Sequence, residues 1–435
     1  MKGLYHWIRF CLQFGYAGFH KTIENACSQR QNKKQKCASV SKGVANVFLV
    51  LVFASLAIGV LSGPTYNVTG YGAKGDGRTD DTQAFMAAWN AACTDSKAGT
   101  SVLVPAGKTF LLSAVSFKGP CKSSIHVQID GTILAPNKTW ILNKVHWINF
   151  MFIKGLTIAG SGVIDGQGAI WWHCIAQKQC ATAPMAFNIG NCMHVQLSGL
   201  SFKNSPMMHV TVHDTVGANL TKLRISAPAD SPNTDGVHIE RSQEVQITHS
   251  TIGTGDDCIS IGSGTYNLNV SWIDCGPGHG ISIGSLGRNG SIAQVEQIHV
   301  SSCNFYQTTN GARIKTWQGG RGYAKGISFK NLTMFSARRP IIIDQYYCEH
   351  RNNCANKTSA VQVSNVQFDG VAGSSADNEA IVLRCSESTA CTGITLANVN
   401  ITSADPARPA TAFCLNAHGK TRGTVIPAVP CLDGR

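Results

Sequence analysis

Three strings near the middle of this 435-residue chain carry one pattern: Asp235-Gly-Val-His-Ile, Asp257-Cys-Ile-Ser-Ile and His279-Gly-Ile-Ser-Ile. Their first residues lie 22 apart, twice in succession. The alternation returns, after longer insertions, at Ala312-Arg-Ile-Lys and Pro340-Ile-Ile-Ile-Asp. A fixed period of this length, carrying short β-branched runs and no helix per repeat, marks a stacked solenoid. The absence of a helical segment within the repeat favours a parallel β-helix over a leucine-rich horseshoe. A sandwich or jelly roll would not demand equal spacing. The rest of the chain agrees, with alternating runs such as SVLVP, IHVQIDGTILA, HVQLSGLSF, QIHVSSCNF and GITLANVNI bounded by Gly, Asn, Asp or Ser. The predicted fold class is all-β.

Stacking converts the period into geometry. Equivalent positions of successive coils lie about 4.8 Å apart, so Asp235, Asp257 and His279 should form one outward ladder with Asp256 beside it. Val237, Ile259 and Ile281 form a second ladder that faces the core. By the same alternation Arg313 and Lys315 project together while Ile314 faces inward. One helix is predicted over 79–93: Thr79-Asp80-Asp81-Thr82 offers capping side chains before QAFMAAWNAAC, whose apolar residues recur at helical spacing. That N-terminal capping helix would cover the open end of the solenoid and its unpaired strand edge.

The ladder implies chemistry. Two unit charges about 5 Å apart at an effective dielectric of about 20 repel by roughly 3 kcal/mol, or about two pKa units. One carboxyl of the Asp cluster should therefore hold a proton while another is ionised, which supplies a general acid and a general base. Glycosidic hydrolysis needs that pairing: one carboxyl protonates the leaving oxygen and another activates water. Arg313 and Lys315 would either offset the cluster's repulsion or hold the carboxylates of an anionic sugar, and the second role is preferred because they sit on a later coil of the same face. His279 is placed in the site by its spacing from Asp257, where it can hydrogen-bond the acid or the sugar. Gly276, Gly278 and Gly280 around it indicate a tightly turning backbone. Cys258 and Cys275 are positioned to clamp the two coils by a disulfide.

The outer parts of the sequence point to export. Residues 44–61 are almost wholly apolar and follow a basic stretch that includes Lys33, Lys34, Lys36 and Lys42. This is the pattern of a signal peptide ending near Ser62, with an uncleaved signal anchor through 44–61 as the alternative. Residues 1–62 hold eight Lys/Arg and one Glu, so the remainder carries +6 of the formal +13. That surplus suits an acidic polysaccharide and is too small to indicate nucleic acid. The segment after residue 62 holds 14 Cys, an even number, with close pairs Cys174/Cys180, Cys348/Cys354 and Cys385/Cys391 that read as short disulfide loops. No paired zinc-type spacing occurs, and neither a metal nor another cofactor is expected. Eight sequons, at Asn67, Asn137, Asn219, Asn269, Asn289, Asn331, Asn356 and Asn400, fit glycosylation.

The motifs Asn233-Thr-Asp-Gly, Gly255-Asp-Asp-Cys, Gly278-His-Gly and Arg313-Ile-Lys, in this order, resemble those of polygalacturonases, the pectin hydrolases of glycoside hydrolase family 28. The phrases SPNTDGVHI, GTGDDCISIG and YGAKGDGRTDDTQAF are similar to the plant members, and the resemblance spans Tyr66 to Cys431. It implies a right-handed parallel β-helix over 63–435 and hydrolysis of α-1,4-galacturonosyl bonds with inversion. It further implies that Asp256 is the general acid, that Asp235 and Asp257 activate the water, and that His279 tunes the acid. Asn233, Arg313, Lys315 and Tyr347 would bind galacturonate, with Tyr346 departing from the Asn-Tyr-Cys usual in the family. A secreted, cell-wall monomer acting on pectin follows. A pectate lyase and a catalytically silent pectin-binding wall protein are the competing readings.

Overall fold

The protein is described by a computed structural model over residues 63–140, 145–348 and 356–432. The predicted signal or anchor segment 44–61 and Cys354 lie outside the described residues. Within them, the alternating runs form parallel strands in two sheets of eleven and nineteen strands. In the eleven-stranded sheet each strand pairs in parallel with the next along the chain, from Val115–Lys118 to Thr411–Leu415. This is the predicted β-helix.

Register explains the period and limits it. Val237 pairs with Ile259 and Ile259 with Ile281, which is the 22-residue repeat. The coil before is 27 residues by the same measure, from Val210 to Val237, and the two after are 31 and 29, from Ile281 to Ala312 to Ile341. Much of the extra length lies in the nineteen-stranded sheet, where Thr265–Cys275 gives way to Ile292–Tyr306 and Arg321–Ala337.

Successive coils turn a corner inside that sheet through a left-handed residue. Gly199, Lys222, His249, Trp272, Ser302, Asn331, Gly370 and Asn398 occupy equivalent positions in successive coils, with φ between 50° and 79°. Six of the eight are not glycine, although a side chain costs something in this region.

The core is made of columns. Val237, Ile259, Ile281, Ala312, Ile341 and Ile381 are fully buried one above another. Each Val or Ile side chain there contributes about 1.5–3 kcal/mol of burial. Phe329 and Phe368 stack in a facing column with centroids 5.2 Å apart. At the N-terminal end the helix Thr82–Thr94 closes the core, and its Trp89 packs 5.3 Å from Phe117 and 5.6 Å from Phe150. The helix starts three residues later than predicted because Asp76–Asp80 forms a strand. Nor does Asp81 cap it by its side chain: that carboxylate instead accepts from the Lys74 and Gly75 amides at 2.6 and 3.0 Å. A second helix, Ala169–Ala176, has no counterpart among the elements expected from the sequence.

Disulfides join Cys258 to Cys275, Cys174 to Cys180 and Cys385 to Cys391, in keeping with their spacing, and also Cys93 to Cys121 and Cys414 to Cys431. Cys348 is disulfide-bonded. The even count does not mean complete pairing, because Cys192 and Cys303 are buried free thiols. The residue registered with Cys303 on the next coil is Leu332, which leaves no sulfur opposite it. Seven sequon asparagines, all but Asn67, are exposed. Asn67 is half-buried, and its side-chain oxygen accepts from the Thr69 amide and hydroxyl. Among the described residues no helix is long and apolar enough to cross a membrane.

Candidate active site

Three turns that lead into the strands Val237–Glu240, Ile259–Ile261 and Ile281–Leu286 carry the predicted ladder. Their close stacking depends on glycine. A β-carbon at Gly255 would lie 2.0 Å from the Ser231 carbonyl oxygen, so only glycine lets the Asp256–Asp257 turn sit on the Asn233–Asp235 turn. The Gly255 amide then donates to Thr234 Oγ1 at 3.1 Å. The Gly236 amide donates to the Asp257 carbonyl, and the Cys258 amide donates to that of Gly280, which continues the ladder. The Cys258–Cys275 disulfide ties the coil that bears the Asp pair to the end of the next strand.

Asp257 is 1% exposed and fully engaged. Its Oδ1 accepts from Arg313 Nη2 at 2.5 Å and Ser282 Oγ at 2.8 Å, and its Oδ2 accepts from Lys315 Nζ at 2.9 Å. Burial by itself would raise this carboxyl, but the two cations overcome that and hold it at about 2. Asp235, 6% exposed, has no such cation. Burial, reinforced by the negative charges of Asp256 and Asp257, pushes it up to about 7. Asp256 is the accessible carboxylate of the three. Its side chain is 22% exposed, beside His279 at 38%, and its Oδ1 lies 2.9 Å from His279 Nδ1 and accepts from the Asp257 amide at 2.8 Å. The His279 amide donates back to the Asp256 carbonyl, and Asn310 Nδ2 supports the His279 carbonyl.

The structure thus brings Asp235, Asp256, Asp257, His279, Arg313 and Lys315 onto one face. Arg313 and Lys315 are nearly buried and neutralise Asp257, which is the less favoured of the two roles that the sequence suggests for them. Asn233 stands exposed on its turn with φ 53°. Tyr347 lies next to the cluster, with Lys315 Nζ 5.2 Å from its ring centroid and Trp317 edge-on at 5.3 Å. Tyr346, the departure from the family pattern, ties neighbouring segments together: its amide donates to Asp344 and its hydroxyl accepts from the Glu387 amide. Asp256, Asp257 and His279 place ligand atoms within 4.8 Å of one another, close enough for a cation, but Arg313 and Lys315 already take both Asp257 oxygens.

Sequence reasoning missed that Arg313 belongs to an outward column with His238, Ser260 and Ser282, which pair in register. Ser282 links Arg313 Nε to Asp257. His238 Nδ1 lies 2.7 Å from Ser260 Oγ. The signal was present: the serines occupy the slot in their repeat strings that Arg313 occupies in its own.

Comparison with known proteins yields a match to the family model described as glycosyl hydrolases family 28 over residues 93–424. The chain is 45% identical to a probable polygalacturonase of Arabidopsis thaliana, across 84% of this chain and 80% of the relative. It is 42% identical to polygalacturonase-2 of Solanum lycopersicum, across 84% and 81%. Among solved structures it resembles an endo-xylogalacturonan hydrolase from Aspergillus tubingensis, with a TM-score of 0.71 and 24% identity over 83% of this chain and 99% of that one. It also resembles a polygalacturonase from Erwinia carotovora ssp. carotovora, with a TM-score of 0.63 and 26% identity over 75% and 91%.

Proposed function

This chain belongs to glycosyl hydrolases family 28, and from that membership we propose that it hydrolyses the galacturonosyl linkages of pectin with inversion, using Asp256 as general acid. The observation that carries the assignment of roles is the separation of three neighbouring carboxyls into unlike environments. Asp257 is locked as an anion by Arg313 and Lys315. Burial, with the charges of Asp256 and Asp257, raises Asp235 to about 7. Asp256, which faces solvent beside His279, gives the proton to the leaving oxygen. Asp235 and Asp257 then hold negative charge at the attacking water, on the opposite side of the sugar. Asn233, Tyr347 and the cationic pair seat the acidic rings, with Lys315 and Arg313 a fixed positive field beneath them. The disulfides suit an oxidising compartment, consistent with a secreted enzyme of the cell wall.

Incubation with polygalacturonate should release new reducing ends, and proton NMR should show the β-anomer formed first. Asp256→Asn should lower turnover by about 10²- to 10⁴-fold. A first-formed α-anomer, or an unsaturated ultraviolet-absorbing product, would overturn the assignment.

A further inference from the structure

The corner column of the nineteen-stranded sheet holds an aromatic group that the reaction does not use. His249, Trp272, Ser302 and Asn331 follow one another there on successive coils. Trp272 is 60% exposed, although an indole ordinarily gains by burial. The backbone does not call for it either. Its φ is 57°, a region in which a side chain costs something, and the same corner is made by glycine at Gly199 and Gly370. His249, one coil before, stacks on the indole with ring centroids 6.1 Å apart and planes within 14°. Ser302, one coil after, is too short to cover the opposite face.

That open face borders a depression of about 290 Å³, lined also by Thr251, Asp274 and Asn304. Asp274 and Asn304 are register partners on neighbouring coils, and Asn304 Nδ2 donates to Asp274 Oδ1 at 2.9 Å. The bond orients both side chains through one carboxylate oxygen and leaves the other, Oδ2, outside it. No Lys or Arg lines the depression. We propose that it is a second carbohydrate-binding site, separate from the catalytic face, which takes a neutral β-1,4-linked glucan.

The chemistry of the lining selects that class of sugar. A ring whose hydroxyls are all equatorial presents C–H groups on its faces, which suit the open indole, and hydroxyls at its edge, which suit a carboxylate beside an amide. An ionised sugar is disfavoured, because its carboxylate would meet Asp274 with no cation to offset the repulsion. The catalytic face differs in this respect, since Arg313 and Lys315 supply fixed cations there. Trp272 and Asp274 belong to the nineteen-stranded sheet, while the carboxylate cluster leads into strands of the other sheet. A glucan held at Trp272 therefore leaves the cluster free, and anchoring the protein beside mixed polysaccharides raises its local concentration at a second polymer.

The test sediments the parent protein, Trp272→Ala, Trp272→Phe and Asp274→Ala with phosphoric-acid-swollen cellulose, a neutral β-1,4-glucan, and assays each on soluble polygalacturonate. The parent should be retained, and Trp272→Ala and Asp274→Ala should each bind about tenfold more weakly, the worth of one aromatic contact or one charged hydrogen bond. Trp272→Phe keeps an aromatic face and should keep most of the retention. Release of reducing ends from polygalacturonate should be unchanged in all three variants, because neither residue belongs to the catalytic face. Failure of the parent to sediment, or equal sedimentation of Trp272→Ala, would overturn the proposal. So would retention that appears only after enzymatic removal of N-glycans, which would give the depression to the chain's own sugar on Asn331, the sequon residue that follows Ser302 in the corner column. Because retention is the readout, a parent that sediments but releases no reducing ends would count against the hydrolase reading alone.

Discussion

The two faces of the eleven-stranded sheet share one backbone and obey different rules. The inward column through Val237, Ile259, Ile281, Ala312, Ile341 and Ile381 repeats one kind of side chain, and its members differ by little more than a methyl group or two. The outward column one residue on runs His238, Ser260, Ser282, Arg313, Ile342, Val382, with a different chemistry on nearly every coil. Upstream it continues through Thr211, Asn188 and Asn149, which are hydrogen-bonded to one another at 2.6 and 2.7 Å. A stacked coil fixes position without fixing chemistry. The inner face uses this to fill space at uniform density, and the outer face uses it to set unlike groups at spacings of about 4.8 Å.

If the faces are truly separable, core changes should alter stability alone and outer changes activity alone. Asp257→Asn is the strongest attempt to break that rule. It should abolish turnover by about 10³-fold. It should also destabilise by about 3–5 kcal/mol, because Arg313 and Lys315 are left buried without their counter-charge. Thermal unfolding and reducing-end assays on the same preparation measure both effects. Loss of activity with unchanged melting would show that the ion cluster adds nothing to the fold.

Ile259→Ala sharpens the comparison from the other side. A cavity in the fully buried column should cost about 2–5 kcal/mol in denaturant unfolding, with kcat per folded molecule close to that of the parent. A large fall in kcat would mean that the inner column sets the spacing of the carboxylates as well as the stability.

The gentlest probe is pH. Between about pH 4 and 7 the folded protein keeps a proton at Asp235 that the unfolded chain gives up, so this group makes stability decline as pH rises through that window and level off above it. Asp257 acts at the other end: its stabilisation is complete above the ordinary carboxylate range and is lost as pH falls toward 2. Because the base must be ionised, turnover should rise as pH approaches about 7 and Asp235 loses its proton. Asp235→Asn should remove the stability slope between about pH 4 and 7, and retention of that slope would place its origin elsewhere.

Much of this is readable from the residues in order, and the failures have physical causes. The equal spacing of three strings locates the coils that carry the carboxylates, because those coils are the shortest here and have no room for insertions. The coils on either side, at 27 and 31 residues, conceal the same fold behind longer strands and turns. Asp81 misleads because a residue type that can cap a helix can equally hold a neighbouring loop, here the Lys74 and Gly75 amides. Ser260 and Ser282 escape notice because a serine in a strand has no distinguishing local property. Their importance arises from what the next coil places beside them.

By itself the order of residues determined that this chain winds in coils, which faces of those coils are apolar, and which acidic and basic groups recur in step, since periodicity and polarity are properties of the chain alone. Only the folded solenoid decided which aspartate is sealed and which meets solvent, and that Arg313 and Lys315 reach back 56 and 58 residues to Asp257. Burial and charge pairing depend on distances between coils that no local stretch of sequence specifies.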